Sequence, residues 1–516
     1  MAFIVEKKVG ETVYLYEATS SWDPNHKQSR QTRLYLGKKD PNTGTIIPPR
    51  HSRLPRRAKD YGNVYLLRQL ADRIGVTSLL QSIFYEDAFT LLALMCFEIT
   101  EAAPLYLFSS WVETSCVEPV KALSAAELTT FTQRLGQMDA EREAFFYQWI
   151  QRCRPVQTVV FDITSLSSYS KLIAEVEWGY NRDHDPLPQV NLGVVYAEQK
   201  HLPLYYQVYP GSIRDVSTLP NMVRYLEGLE VAPDLFVMDR GFYSAKNLET
   251  MAQYGLTFLM PLPRTVKLFS TLVTQHYSSL TALSNSFLFQ DEVLGHLHTS
   301  TPLNQLPLHA HLYFPSRQHA EQTHRFLQRL WEAEAANVPQ PGQSPQAVRE
   351  ALNAQMKGAA KFFRFRKTKQ GTTMTRNIQR LTDHLLPLGV TVYLTNHPAL
   401  DRSQILTLYR QKDFLEKTFD TLKHDCDGRR LRGHSTDAIM GRVFLKFLSL
   451  ILYSAVTTTM RTQGLFTRYS VRELLCELKK IRLVEMKNGT QVLTEISKRQ
   501  KDIFKAFKLQ SPILKT

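Results

Sequence analysis

Cysteine is scarce in this chain, acids are outnumbered by bases, and no apolar run is long. The five cysteines are Cys96, Cys116, Cys153, Cys426 and Cys476. Their odd number, with no CxxC pair and no Cys/His cluster, argues against a disulfide framework and a structural zinc, and suits a reducing cytoplasm. The opening residues, Met-Ala-Phe-Ile-Val-Glu-Lys-Lys, hold no apolar core of signal-peptide length, so no signal peptide is expected. The longest apolar stretch, Val443 to Val456, contains Lys446 and is too short to cross a bilayer. It reads as a buried helix, and no membrane partner is expected. No repeat of fixed period runs along the chain. Asp and Glu number 48 against 63 Lys and Arg, a net charge of +15 over 516 residues. That balance favours an anionic partner: nucleic acid, an acidic protein or an anionic membrane surface.

A chain of this length divides into several domains. Residues 1–60 read as a small β unit, with strands at Thr12–Tyr16 and Thr32–Leu36, a turn at Pro41–Gly44 and a basic linker over 50–59. Residues 61–150 are helical in pattern, with Leu66, Leu67, Leu70, Ile74, Leu79 and Leu80 near helical spacing, and form a candidate DNA-binding region. In 151–264, short apolar runs at 156–161, 190–196, 203–208, 234–238 and 257–260 alternate late with helical stretches, as in a mixed α/β core. Residues 265–390 interrupt that core with a β-rich segment and a helix from Gln318 to Ala336. The core resumes over 391–464, with a strand at Val390–Leu394 and a helix over 402–423. Residues 465–516 read as helical.

Three carboxylates stand out. Asp162 follows the apolar run Thr158–Phe161, Asp239 follows Leu235–Met238, and Glu416 lies on the helix 402–423. At 100° per residue, Tyr409, Lys412, Glu416 and Lys423 fall within roughly 60° of one another, at the edge of the buried stripe made by Leu408, Leu415, Phe419 and Leu422. Taken alone, the stripe is also what an ordinary amphipathic helix with Glu/Lys pairs presents, and each aspartate could simply cap a turn. Together, carboxylates at the carboxyl ends of strands are placed to hold two Mg²⁺ ions about 4 Å apart, with Mn²⁺ able to substitute.

These positions resemble a DDE transposase of a bacterial insertion sequence, of the group marked by Tyr-x2-Arg-x3-Glu-x6-Lys. Here that string is Tyr409-Arg410-Gln411-Lys412-Asp413-Phe414-Leu415-Glu416, with Lys423 after six more residues. The stretches Phe161–Ser165, Leu187–Gly193, Pro203–Tyr206, Pro210–Ser212, Asp239–Phe242 and Leu394–Asn396 follow the family's order, and Lys38–Gly44 extends the likeness towards the start. The resemblance implies an RNase H-like α/β core interrupted by a β-rich inserted domain, with helical regions on either side. It implies Asp162, Asp239 and Glu416 as catalytic metal ligands, and Tyr409, Lys412 and Lys423 as contacts to the DNA backbone near the cut. It implies double-stranded DNA, both element ends and target, as partner, and a homodimer in the DNA complex. Three positions depart from the family: Lys412 stands where Arg is usual and loses the bidentate fork, Gly211-Ser212 replaces Gly-Asn, and Gly441-Arg442 replaces Gly-His.

Other residues invite weaker readings. Asp215 is a rival second aspartate, in what looks like a helix N-cap region. Asp183, His184 and Asp185 read as a solvated loop. Lys361 to Arg380 carries seven basic residues and no acid, including Arg364, Arg366, Lys367 and Lys369, interleaved with Phe362, Phe363 and Phe365. It suits a backbone-tracking, base-stacking DNA surface, or a charged face packed by its own phenylalanines. Arg429, Arg430 and Arg432, beside His434, suit phosphate contact. Trp178 reads as a core residue or as a base-stacking ring. Two other functions compete with transposition: an RNase H-like nuclease that cuts without joining, and a DNA-binding protein whose core is silent.

Overall fold

A computed structural model describes the chain except residues 1, 24–27, 48, 50–53, 118, 171–172, 174, 180–185, 214, 305, 370, 426–429, 432 and 515–516; the side chains of 2, 20–23, 28–32, 215–216, 414–425 and 430–431 also lie outside the description. The chain forms two compact units.

The unit built from 146–421 and 429–436 holds one ten-stranded sheet. Its first five strands are β1 (Thr158–Ser168), β2 (Gln189–Ala197), β3 (Leu202–Pro210), β4 (Leu235–Met238) and β5 (Phe258–Pro261). β1, β2 and β3 form an antiparallel meander. Helices α1 (Asp215–Gly228) and α2 (Ala245–Gln253) then return the chain, so that β4 runs parallel to β1 and β5 parallel to β4. The order β3-β2-β1-β4-β5, with only β2 opposed to its neighbours β1 and β3, is the RNase H-like arrangement. Near-continuous apolar runs suit these strands because both faces of the sheet are covered; every residue of β2 and of β4 is buried.

Residues 265–390 contain two kinds of structure. Strands β6 (Ser286–Phe289), β7 (Glu292–Leu303) and β8 (Leu306–Pro315) extend the same sheet, joined to β5 through β11 (Thr391–Thr395) in the order β6-β7-β8-β11-β5. Helix α3 (Lys267–Leu280) lies close on Gly295 of β7, where an added Cβ would sit 2.3 Å from the Leu280 carbonyl oxygen. Helices α4 (Ser316–Ala336), α5 (Pro345–Gln355) and α6 (Ile378–Leu385), with the hairpin β9 (Phe363–Thr368) and β10 (Gly371–Arg376), gather round a separate core that includes Leu330, Leu352, Phe362 and Leu381. Helix α7 (Arg402–Asp425) follows β11, and the two-residue strand β12 (Arg430–Leu431) pairs with the far end of β1.

The other unit contains residues 1–145 and 437–516. It begins with an antiparallel sheet of Ala2–Val9, Thr12–Asp23, Gln28–Lys39 and Ile46–Ile47. The basic stretch read as a linker instead ends in a strand, Pro55–Asp60, paired with Arg482–Met486 near the other end of the chain. Its last residue, Asp60, is 5% exposed and lies 3.2 Å from Arg482 and 3.5 Å from Lys479. The helix Thr436–Thr462 is long and apolar enough to cross a membrane, but 83% of its apolar window is buried. Gly441 explains itself here: a Cβ would meet the Thr132 carbonyl oxygen at 1.9 Å, and one on Gly136 would meet that of Asp437 at 1.8 Å.

Candidate active site

Asp162 lies within β1, not at its end, because β1 continues through Ile163-Thr164-Ser165-Leu166-Ser167-Ser168. The polar half is stabilised by partners remote in sequence. Ser165 Oγ donates to Asn191 Oδ1 at 3.1 Å, and Asn191 Nδ2 donates to the carbonyls of Gly211 (3.2 Å) and Ile213 (2.9 Å). Gly211 fits there because a Cβ would meet the Gln189 carbonyl oxygen at 2.1 Å and that of Glu177 at 2.5 Å. Ser212, the departure from Gly-Asn, hydrogen-bonds the Glu177 carboxylate. Asn191 and Gly211 thus link two of the family-like stretches in one buried network, a role their spacing in sequence does not announce.

The last paired residues of the parallel strands are Phe161 and Met238. Asp162 and Asp239 are the next residue on each chain segment. Both are half-buried, and both follow the face of Val160 and Val237. Alternation carries that face across the sheet through Leu259, Pro261, Tyr393, His311, Tyr313, His296 and His298.

Helix α7 lies along this face. Asp401 caps it, accepting from the backbone N–H groups of Ser403 (2.6 Å) and Gln404 (2.9 Å), while the Gln404 side chain accepts from the Asp401 N–H. Tyr313 Oη donates to the Arg402 carbonyl at 2.8 Å, and the Arg402 guanidinium stacks 4.4 Å over the Phe287 ring. One turn short of Lys412, Tyr409 meets Tyr393 edge to face at 4.8 Å, and its hydroxyl donates to Asp239 Oδ1 at 3.2 Å. Burial first, then the Asp239 charge, push the Tyr409 pKa far above the usual phenol range, so it remains a donor. Lys412 is 1% exposed, its ammonium 5.6 Å from the Tyr409 ring. An ammonium so buried requires counter-charge, and this side of the unit collects Asp162, Asp239 and Asp413. Glu416 is seven residues beyond Tyr409 on α7, two turns along the same side.

The side chains of Glu416, Lys423, Arg430 and Asp215 lie outside the described residues, as do Arg429, Arg432, Asp183, His184 and Asp185 altogether. Among the described residues, no three His, Cys, Asp or Glu side chains are grouped to hold a metal ion. Asp162 and Asp239 fit a divalent cation as hard oxygen donors on adjacent strands. Arg364, Arg366, Lys367 and Lys369 are exposed on or beside the hairpin β9–β10, which packs on its own core rather than on the sheet's. Phe362 and Phe363 are 3% and 5% exposed in that unit's core and offer bases no platform. Trp178 is 68% exposed, which excludes the core reading. Sequence reasoning passed over Tyr313 and Tyr393, and quoted Asn396 only as part of the stretch Leu394–Asn396, without a role. Asn396 pins β5 to β11, accepting from Phe258 N–H at 2.8 Å and donating to the Leu256 carbonyl at 3.0 Å.

No curated protein matches the chain. Among solved structures it is similar to the piggyBac transposase synaptic complex with hairpin DNA, at 9% identity over 76% of this chain and 69% of that one. The TM-score is 0.37, too loose a superposition to carry an inference. Residues 155–452, more than half of the chain and the whole stretch from β1 to beyond the helix of Glu416, match the transposase DDE domain family, and the chain belongs to that family.

Proposed function

We propose that the chain is the transposase of a bacterial insertion sequence, of the Tyr-x2-Arg-x3-Glu-x6-Lys group, acting in the cytoplasm. In this reading it binds the terminal inverted repeats as a homodimer, hydrolyses phosphodiesters at the element ends and joins the freed 3′-ends to target DNA. The observation that carries it is the bond from Tyr409 to Asp239, which ties the helix bearing Glu416 to the strand pair bearing the two aspartates.

Asp162, Asp239 and Glu416 would hold two Mg²⁺ ions, or Mn²⁺ in their place. When bound, such a pair activates the attacking water or 3′-hydroxyl and stabilises the leaving oxygen. The chain's own groups prepare that site. Tyr409 holds one Asp239 oxygen by a charge-assisted hydrogen bond and leaves the other for a cation. Tyr393 fixes the phenol's approach. Lys412, 1% exposed, neutralises carboxylate charge beside the ring and acts on the cut through Tyr409 and the carboxylates, while Lys423 takes the DNA backbone near the cut. Arg429, Arg430 and Arg432 add phosphate contacts.

The test uses duplexes carrying the repeats that flank the gene. With Mg²⁺ the purified chain should cut them and join the 3′-ends to a second duplex. Asp162→Ala, Asp239→Ala and Glu416→Ala should each abolish cutting while sparing binding by gel shift. Cutting without joining would make the chain a nuclease; binding without cutting would make its core silent.

A further inference from the structure

The hairpin β9–β10 has two unlike faces. Phe363, Phe365, Thr372 and Met374 alternate onto one face, where Phe363 is buried and Phe365 and Met374 pack against the helical unit's core. On the other, Arg364 stands opposite Thr375 and Arg366 opposite Thr373, and all four are exposed.

The bases of this stretch also divide by use. Arg376 reaches Glu334 at 2.7 Å and stacks 3.7 Å over Trp331. Lys361 lies 4.8 Å over Phe362, and Arg380 donates to the Lys361 carbonyl at 3.3 Å. These three serve the fold. Arg364 and Arg366 form no ion pair among the described residues. Two like charges on one side of one strand repel, and nothing the fold gains offsets that. A polyanion would.

We propose that β9–β10 enters the major groove of the terminal repeat as a two-stranded ribbon, with Arg364 and Arg366 reading base edges. The proposal rests on the transposase reading above. The major groove admits a β-ribbon, and an arginine fork matches the O6 and N7 of guanine. Residues two apart on a strand are separated by about 6.7 Å, which matches two base-pair steps of about 3.4 Å. Single-stranded DNA fits poorly, because no ring faces outward between the two arginines for bases to stack on. Lys367, on the opposite side of β9, would flank the groove at a phosphate.

The test is fluorescence anisotropy of the full chain with an end duplex and a scrambled duplex of equal length, across a salt series. In R364K/R366K the charge is kept and the fork is lost. Its preference for the end duplex should fall at least about 10-fold with an unchanged salt slope. In R364A/R366A the slope should also fall, by roughly 0.9 per lost phosphate-range charge. Both pairs are exposed, and a thermal melt verifies folding. If R364K/R366K keeps the wild-type preference, the ribbon is a sequence-blind clamp and the proposal fails alone. If the wild-type chain shows no preference, the transposase reading fails with it.

Discussion

Tyr409 donates its hydroxyl to Asp239 across 3.2 Å, from a helix to the end of a sheet strand 170 residues earlier. Hydrogen bonds to a charged acceptor contribute about 1.5–3 kcal/mol. Tyr409→Phe removes the bond and keeps the ring against Tyr393. Cleavage at limiting Mg²⁺ should fall roughly 10- to 100-fold, with partial recovery at high Mg²⁺ and end affinity almost unchanged. The measurement is single-turnover cleavage at saturating DNA over a Mg²⁺ series. Wild-type rates throughout would mean that the phenol does not orient the carboxylate.

Tyr313 anchors the other end of the same helix through the Arg402 carbonyl. Tyr313→Phe should lower stability by about 1 kcal/mol and slow cleavage without altering DNA affinity. Urea unfolding and the same cleavage assay check both parts. A stability loss with full activity would separate the anchor from the site.

The Asn396 side chain, just past β11, makes two hydrogen bonds to backbone groups at the start of β5. Asn396→Ala leaves the Phe258 N–H and the Leu256 carbonyl without that partner and should cost about 1–3 kcal/mol. A midpoint in urea equal to the wild type's would show that water replaces the amide at no cost.

Acid should loosen the sheet at its histidines. His296 pairs with His311, and His298 with His309, each at 3.1 Å. Burial first, then the charges of Arg402 and His298, push His296 down to about 4. Burial, then the three other histidines, push His311 down to about 3, against the opposing pull of Asp401. An unfolded histidine titrates near 6.5. Below that pH the unfolded chain takes up protons that the folded chain refuses, so stability falls as the pH drops from about 6.5 to 4, by at most about 1.4 kcal/mol per pH unit for each group. His311→Phe should flatten the difference between urea midpoints at pH 7 and pH 5. Equal slopes would exclude His311 as a source.

Gly441→Ala should disrupt the packing of its own unit, since the new methyl lies 1.9 Å from a backbone oxygen that cannot swing aside. The cost is about 1–3 kcal/mol or more. Gly228→Ala, with nothing within 4 Å, is the control and should be near neutral.

The strands of the RNase H-like core were legible because their apolar runs are short, dense and bounded by turns. So was α7, whose periodicity is local. The full length of β1 was not. Its apolar signal stops at Phe161, and the buried Thr164, Ser165, Ser167 and Ser168 are satisfied by residues such as Asn191 that only the fold brings near. The strand Pro55–Asp60 was hidden for a similar reason: Arg482–Met486, with which it pairs, lies more than 400 residues away, so its basic composition spoke louder than its pairing. The same distance hid Arg482–Met486 within a region read as helical. Around the candidate site, the sequence placed the two aspartates after apolar runs that prove to be neighbouring strands, but not the aromatic row through Tyr313 and Tyr393, because edge-to-face contacts leave no periodic trace.

β8 and β11 are hydrogen-bonded neighbours, with Tyr313 opposite Thr391. The chain therefore leaves the sheet at 315 and re-enters beside its point of departure. The helices and hairpin of 316–390 hang from one doorway. Relatives could lengthen, shorten or exchange that cargo without moving Asp162 against Asp239 or Tyr313 against α7, and a new module could be grafted there while the sheet and its helix stayed as they are.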